Sequence, residues 1–216
     1  MRNPEHYVRA YLLLQKDLEE LFDYVEPSDQ NLNCYSYRTH ELLLRACVEV
    51  EANCKAILLE NGYPKPRDDM NRNDYIKIEK SHRLSEYQVR VPTWTGAAGM
   101  RTPFSAWGTG GALAWYDVYN ATKHDRHAEF RTATFEHMLD AVCGCLAILS
   151  AQFQSQDFSG NETMLSIGWP NDGMSDSIGG YFRVKYPQNW PVSDRYDFTW
   201  HVIEKLPDTF QQYNYP

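Results

Sequence analysis

Residues 133–154, ATFEHMLDAVCGCLAILSAQFQ, carry the cleanest apolar repeat in the chain: Phe135, Met138, Leu139, Val142, Cys145, Leu146, Leu149 and Phe153 recur at helical spacing. On a helix of 3.6 residues per turn they form one stripe, and such a stripe must be covered by other helices. An antiparallel helical bundle is the economical architecture for it.

Two more segments supply the partners. Val8, Tyr11, Leu12, Leu18, Leu21, Phe22 and Val25 predict a first helix over 4–25, opened by Asn3 and Pro4 and broken by PSDQNLN. A second helix is predicted from near Ser36 to Asn61-Gly62, with Leu43, Cys47, Val50, Cys54 and Ile57 on one stripe and Leu42, Ala46, Ala56 and Leu59 on another. Two stripes mean burial on more than one side. Its polar positions are spaced for ion pairs, Glu41, Arg45 and Glu49 by four and Glu51 to Lys55 by four, which reads as a solvated ladder.

The middle of the chain is less regular. A short helix is expected over 75–84, and Tyr87, Val89 and Val91 alternate as one half-buried strand would. From Pro92 to Gly111 the chain is rich in Gly, Pro, Thr and Ser. Gly108-Thr-Gly-Gly111 lacks the spacing of a phosphate loop and reads as turn chemistry ahead of a fourth helix, 112–127.

After about residue 156 the helical repeat stops. Trp169, Tyr181, Phe182, Tyr186, Trp190, Tyr196, Phe198 and Trp200 follow among Gly, Pro and Asp, with 181–186 strand-like. The expected organisation is therefore mainly α: a bundle of four to five helices over 1–155, with a β-rich appendage over 156–216 docked on it. So few strands are not stable alone.

Composition narrows the function classes. A net charge of −8 and an isoelectric point near 5.3 exclude a generally basic nucleic-acid coat, though not a local basic face. No window reaches the 18 or more apolar residues that span a bilayer, and charges interrupt the first twenty residues, so no membrane partner and a cytoplasmic location are expected. Cys34, Cys47, Cys54, Cys143 and Cys145 are odd in number and mostly lie within apolar repeats, the pattern of buried reduced thiols. Cys143-Gly-Cys145 is not a zinc-type pair, and the candidates around His124-x-x-His127 follow no zinc signature, so no metal or other cofactor is expected. There is no G-x-S-x-G elbow for a nucleophilic serine.

The chemical signal lies on the fourth helix. At 100° per residue, Tyr116, Asn120, Lys123, His124 and His127 share about 100° of its circumference, opposite Trp115, Val118, Tyr119 and Thr122. An amide, an ammonium and two imidazoles can all donate to phosphate oxygens, and histidine can exchange protons near neutral pH. The same residues also suit a plain surface helix whose C-terminal cations, Lys123 and Arg126, offset its dipole.

The combination of SYRTHELLLRACVEVEANCKAIL, then WYDVYNATKHDR, then the apolar final helix resembles the HEPN superfamily of small helical bundles. That family's motif is Arg, commonly followed by Asn, Asp or His, and then His after four to six intervening residues. The resemblance implies a metal-independent ribonuclease at a homodimer interface, of the kind found in toxin–antitoxin, phage-defence and RNA-processing systems. In Tyr119-Asn120-Ala-Thr-Lys-His124 the Asn and His match, and Tyr119 stands at the Arg position. By the resemblance, His124 acts in proton transfer with Asn120 beside it. Lys123 is expected to replace the missing arginine as a point charge without its planar fork. Tyr116, Tyr119, Arg126 and His127 are the binding candidates, with Arg45 and Glu49 added if the second helix packs antiparallel against the fourth. Two functions follow as expectations: an RNA- or nucleotide-phosphate-binding protein with weak or degenerate cleavage, or a non-catalytic module for dimerisation or a protein partner.

Overall fold

The computed structural model describes residues 4–153, 173–188 and 213–216. Asn3, Trp169, Trp190, Tyr196, Phe198 and Trp200, singled out above, lie outside them. The chain is mainly α with a small antiparallel sheet. Its helices are α1 (Pro4–Phe22), α2 (Tyr37–Glu60), α3 (Arg72–Tyr75), α4 (Glu79–His82), α5 (Ala114–His124), α6 (Arg126–Glu129) and α7 (Phe135–Phe153). The strands are β1 (Gln88–Arg90), β2 (Met100–Arg101), β3 (Ser175–Asp176) and β4 (Arg183–Lys185). No helix among the described residues is long and apolar enough to cross a membrane.

Every residue of the α7 stripe is buried, and so are Ala141, Cys143, Gly144, Ala147, Ile148 and Ala151 between them. The helix is therefore the centre of the molecule rather than one wall of it. α2 lies along its length and begins where Ser36 Oγ accepts from the Thr39 N–H at 3.0 Å, closing one of the orphan donors of the first turn. The expected antiparallel packing is seen for α1 on α2, where Asp17 late in α1 pairs with Arg38 early in α2. It is seen again for α5 on α2. The central pair runs in one direction: the Phe135 N–H donates to the Cys34 carbonyl at 2.7 Å just ahead of α2, and Gln152 Nε2 donates to Asn53 Oδ1 at 3.0 Å near its far end. The long connection through α3–α6 makes that possible. All five cysteines are free, and four are buried.

The sheet has the order β2-β1-β4-β3 and draws on both sides of residue 156. Val89 pairs with Arg101 on one side and Val184 on the other. Tyr87, Val89 and Val91 point inward, as their alternation predicts. The expected short helix over 75–84 is instead a string of single turns, with α3 and α4 joined by one 3-10 turn and another following α4.

Residues 94–98 are organised by one carboxylate. Asp29 accepts from Trp94 Nε1 at 2.6 Å and from the N–H groups of Ala97 and Ala98 at 2.8 and 2.9 Å, and the Trp94 hydrogen bond is the first reason its pKa lies below the ordinary range. Gly96 makes the approach possible: its φ is +123°, and a Cβ would fall 2.3 Å from the Asp29 carboxyl carbon. Gly96→Ala is accordingly expected to cost about 1–3 kcal/mol in urea unfolding, from strain at this φ and loss of the carboxylate's seat. An unchanged midpoint would show that the loop does not contribute to the stability of the fold.

Candidate functional site

The fourth helix of the sequence reading stops early. α5 ends at His124, Asp125 leaves helical geometry at φ −136° and ψ 82°, and its carboxylate accepts from the Ala128 N–H at 3.1 Å to start α6. An aspartate that caps a new helix competes with continuing the old one. The break changes the face. His127 and Arg126 belong to α6 rather than to the α5 surface, and Lys123, His124, Arg126 and His127 are all exposed around the junction, with half-buried Asn120 one turn back.

Tyr116 is corrected more strongly. It does not lie on the polar face: it is 8 % exposed, and its phenol donates to Glu51 Oε1 in α2 at 2.6 Å. Burial is the main reason its pKa is raised well beyond the ordinary phenol range, with the Glu51 hydrogen bond next. The ring's apolar area outweighs one hydroxyl that finds a partner, so this tyrosine belongs with the apolar face.

Tyr119 is 2 % exposed, as expected for the inner face. Lys123 folds back onto it, with Nζ donating to the phenol oxygen at 3.2 Å and lying 5.1 Å from the ring centroid. Burial keeps Tyr119 a neutral phenol, and the contact holds Lys123 in its charged form. A positive charge thus sits beside Tyr119, anchored by its ring and hydroxyl.

Arg45 and Glu49 are not part of this surface. The Arg45 guanidinium pairs with Asp17 of α1 and lies 3.6 Å from Glu41, and Arg38 joins the same group. Glu49 is half-buried on that side of α2, and burial raises its pKa. Glu51, which meets α5 through Tyr116, is set a third of a turn from Arg45 on α2.

The structure adds a histidine that the sequence reading passed over. His40 is 6 % exposed, lies 5.6 Å from Phe130 between ring centroids, and its Nε2 has no hydrogen-bond partner among the described residues. Burial and then the nearby Arg126 lower its pKa, so the imidazole is neutral at pH 7. Its signal was positional: it precedes Leu43 by three and so continues the buried stripe of α2. Around it, Tyr37 is 74 % exposed yet packs on Phe130 at 4.7 Å, and Tyr35 meets the same ring edge-on at 5.9 Å. The start of α2 and the α5–α6 junction thus form one surface, with exposed rings at one end and cationic or imidazole side chains at the other.

Such a surface can hold an anion by hydrogen bonds from Lys123, Arg126 and the two exposed histidines, and can stack a planar group on Tyr37. No group of three or more His, Cys, Asp or Glu among the described residues converges as metal ligands would. No family model, curated protein or solved structure matches the chain.

Proposed function

We propose that this chain is an HEPN-like cytoplasmic protein that binds single-stranded RNA or nucleotide phosphate at the α5–α6 junction, with weak metal-independent cleavage. The observation that carries the reading is the succession of Lys123, His124, Arg126 and His127, all exposed, at the junction whose next turn carries the tilted Tyr37–Phe130 ring pair. Lys123 and Arg126 contact phosphate, Asn120 and His127 position it, and His124 moves the proton of the attacking 2′-hydroxyl. Cleavage is weak because the motif arginine is absent. Loss of one such charge-stabilising donor commonly slows reaction by about two to three orders of magnitude.

The test is mixed RNA in EDTA with wild type, His124→Ala, Lys123→Ala and Arg126→Ala. Wild type is expected to bind in a salt-dependent way, and each cation removed should lower the slope of log affinity against log salt by about one. Slow cleavage should persist in EDTA and vanish in His124→Ala. Equal, negligible binding by all four proteins would refute the proposal.

A second reading, a homodimer or protein-interaction module using the same surface, is favoured by one observation: an exposure of 74 % is large for an aromatic ring on a helix start. Light scattering distinguishes it. A dimer that Tyr37→Asp converts to monomer supports it, and a monomer in both cases removes it.

A further inference from the structure

Arg72 of α3 and Asp117 in the first turn of α5 meet through Nη1 and Oδ1 at 2.8 Å, and both border a cavity of about 160 Å³. Its inner wall includes Tyr75, Trp107, Leu113 and Tyr116. We propose that this cavity is a binding site for a neutral planar nitrogen heterocycle of the nucleobase class, its ring against these aromatic walls and its polar edge on Asp117 and Arg72.

Size comes first. A cavity of about 150 Å³ in a protein core accepts a benzene-sized ring, so this one takes one six-membered ring and, extending to the mouth, a fused second. The walls set the character of that ring. Tyr75 donates its hydroxyl to the Met70 carbonyl at 3.1 Å and Tyr116 donates to Glu51, so neither phenol has a proton left to give a ligand. The wall therefore offers mainly carbon surface, suited to an aromatic face.

Polar recognition falls to the rim. The Arg72 and Asp117 side chains are 59 % and 46 % exposed and joined through one nitrogen and one oxygen, which leaves further donors on the guanidinium and acceptor capacity on the carboxylate. Because the pair neutralises itself, it favours neither a free anion nor a free cation. A neutral ring edge with an acceptor next to a donor matches it, and that pattern is the edge of a nucleobase. The site is separate from the phosphate surface. It lies at the start of α5, and the eleven residues of that helix place the junction about 16 Å away.

The experiment titrates the full chain with free adenine, uracil and toluene, reading tryptophan fluorescence and calorimetric heat. Adenine or uracil is expected to bind saturably with quenching. Asp117→Asn should weaken the base about tenfold through loss of a charged acceptor. Ala112→Trp, at an exposed position on the mouth, should block it. The exposed ion pair makes Asp117→Asn a mild change for folding, so it tests the site even if Ala112→Trp misfolds. Absence of base binding to wild type overturns the proposal, as does binding unchanged in both variants. Toluene binding as tightly as the bases, with no effect of Asp117→Asn, overturns the heterocycle class. None of these outcomes depends on whether the chain binds RNA.

Discussion

Arg101→Met is expected to lower the stability of the protein by about 3–5 kcal/mol at neutral pH, the range seen when one member of a buried ion pair is removed. Arg101 is 7 % exposed. Its Nε donates to Asp140 Oδ1 at 2.7 Å and its Nη2 to Glu136 Oε1 at 3.1 Å, so it ties β2 to the first half of α7. The two carboxylates fare differently without it. Glu136 is 41 % exposed and falls back on water, whereas the Asp140 side chain is 20 % exposed and keeps an unpaired charge against the core. Burial already raises the Asp140 pKa against the pull of Arg101, and removing the guanidinium raises it further. The sign of the pH dependence follows. A carboxyl whose folded pKa lies above its unfolded value destabilises at high pH and recovers as pH falls through the folded value, so the deficit of Arg101→Met should shrink on acidification. A double variant, Arg101→Met with Asp140→Leu, should regain more than half of the loss, since a matched apolar pair replaces a buried ion pair with little cost. Urea unfolding of the three proteins at pH 7 and 5 decides it. A single-variant loss below about 1 kcal/mol would place the pair among screened surface bridges.

The network around Arg101 also marks where the sequence stops being legible. Helices α1, α2 and α7 are readable because each buries a stripe at helical period, and α2 is bounded by residues that close it, Ser36 at its start and Asn61 at its end. Tyr87, Val89 and Val91 are readable for the same reason at period two. Arg101 lies in a Gly- and Pro-rich stretch with no period, and its partner Asp140 is 39 residues away. Nothing local announces such a pair. The candidate site fails in a similar way. Lys123 and His124 lie in the last turn of α5, but the helix stops there and does not run on to residue 127, because Asp125 has a side chain that caps as readily as it continues. Tyr116 is buried by its ring and finds its hydrogen-bond partner in a carboxylate 65 residues earlier, and Arg45 is drawn to Asp17 on another side of α2. His40 was visible in register with Leu43 and Cys47, yet a single histidine in a buried stripe carries no chemistry until its neighbours are known. Local period predicts which face is buried; capping and ion pairing across the chain decide which polar groups meet.

Acid is expected to weaken the protein from about pH 6.5 downward, before ordinary carboxylates titrate, and His82 is the principal cause. It is 1 % exposed in α4, its Nδ1 lies 2.7 Å from Ser81 Oγ, and that hydroxyl lies 2.6 Å from Tyr215 near the chain's end. The end is held there by the Tyr213 N–H donating to Asn61 Oδ1 at 2.7 Å and by Lys77 Nζ on the Pro216 carbonyl. Burial depresses the His82 pKa to about 3 from 6.5. In the unfolded chain the imidazole takes a proton near 6.5, and in the folded chain it resists until about 3, so its contribution is whole above 6.5 and lost as pH falls through that window. The loss approaches about 1.4 kcal/mol per pH unit and sums to about 4–5 kcal/mol, against a total stability of about 5–15 for a domain of this kind. His40 shifts in the same direction and adds to it. Glu49, Glu79 and Asp140, whose pKa values burial raises, oppose it in the lower part of the window. The measurement that isolates His82 is therefore a difference. His82→Asn keeps a hydrogen-bonding amide near Ser81 and has no titrating proton, and urea unfolding of both proteins at pH 7, 6 and 5 cancels every other group. The variant is expected to start less stable at pH 7, from the smaller side chain, and to close the gap by about 1 kcal/mol or more per unit of acidification below 6. Parallel stability curves would mean that His82 takes up its proton in the folded state as readily as in the unfolded one.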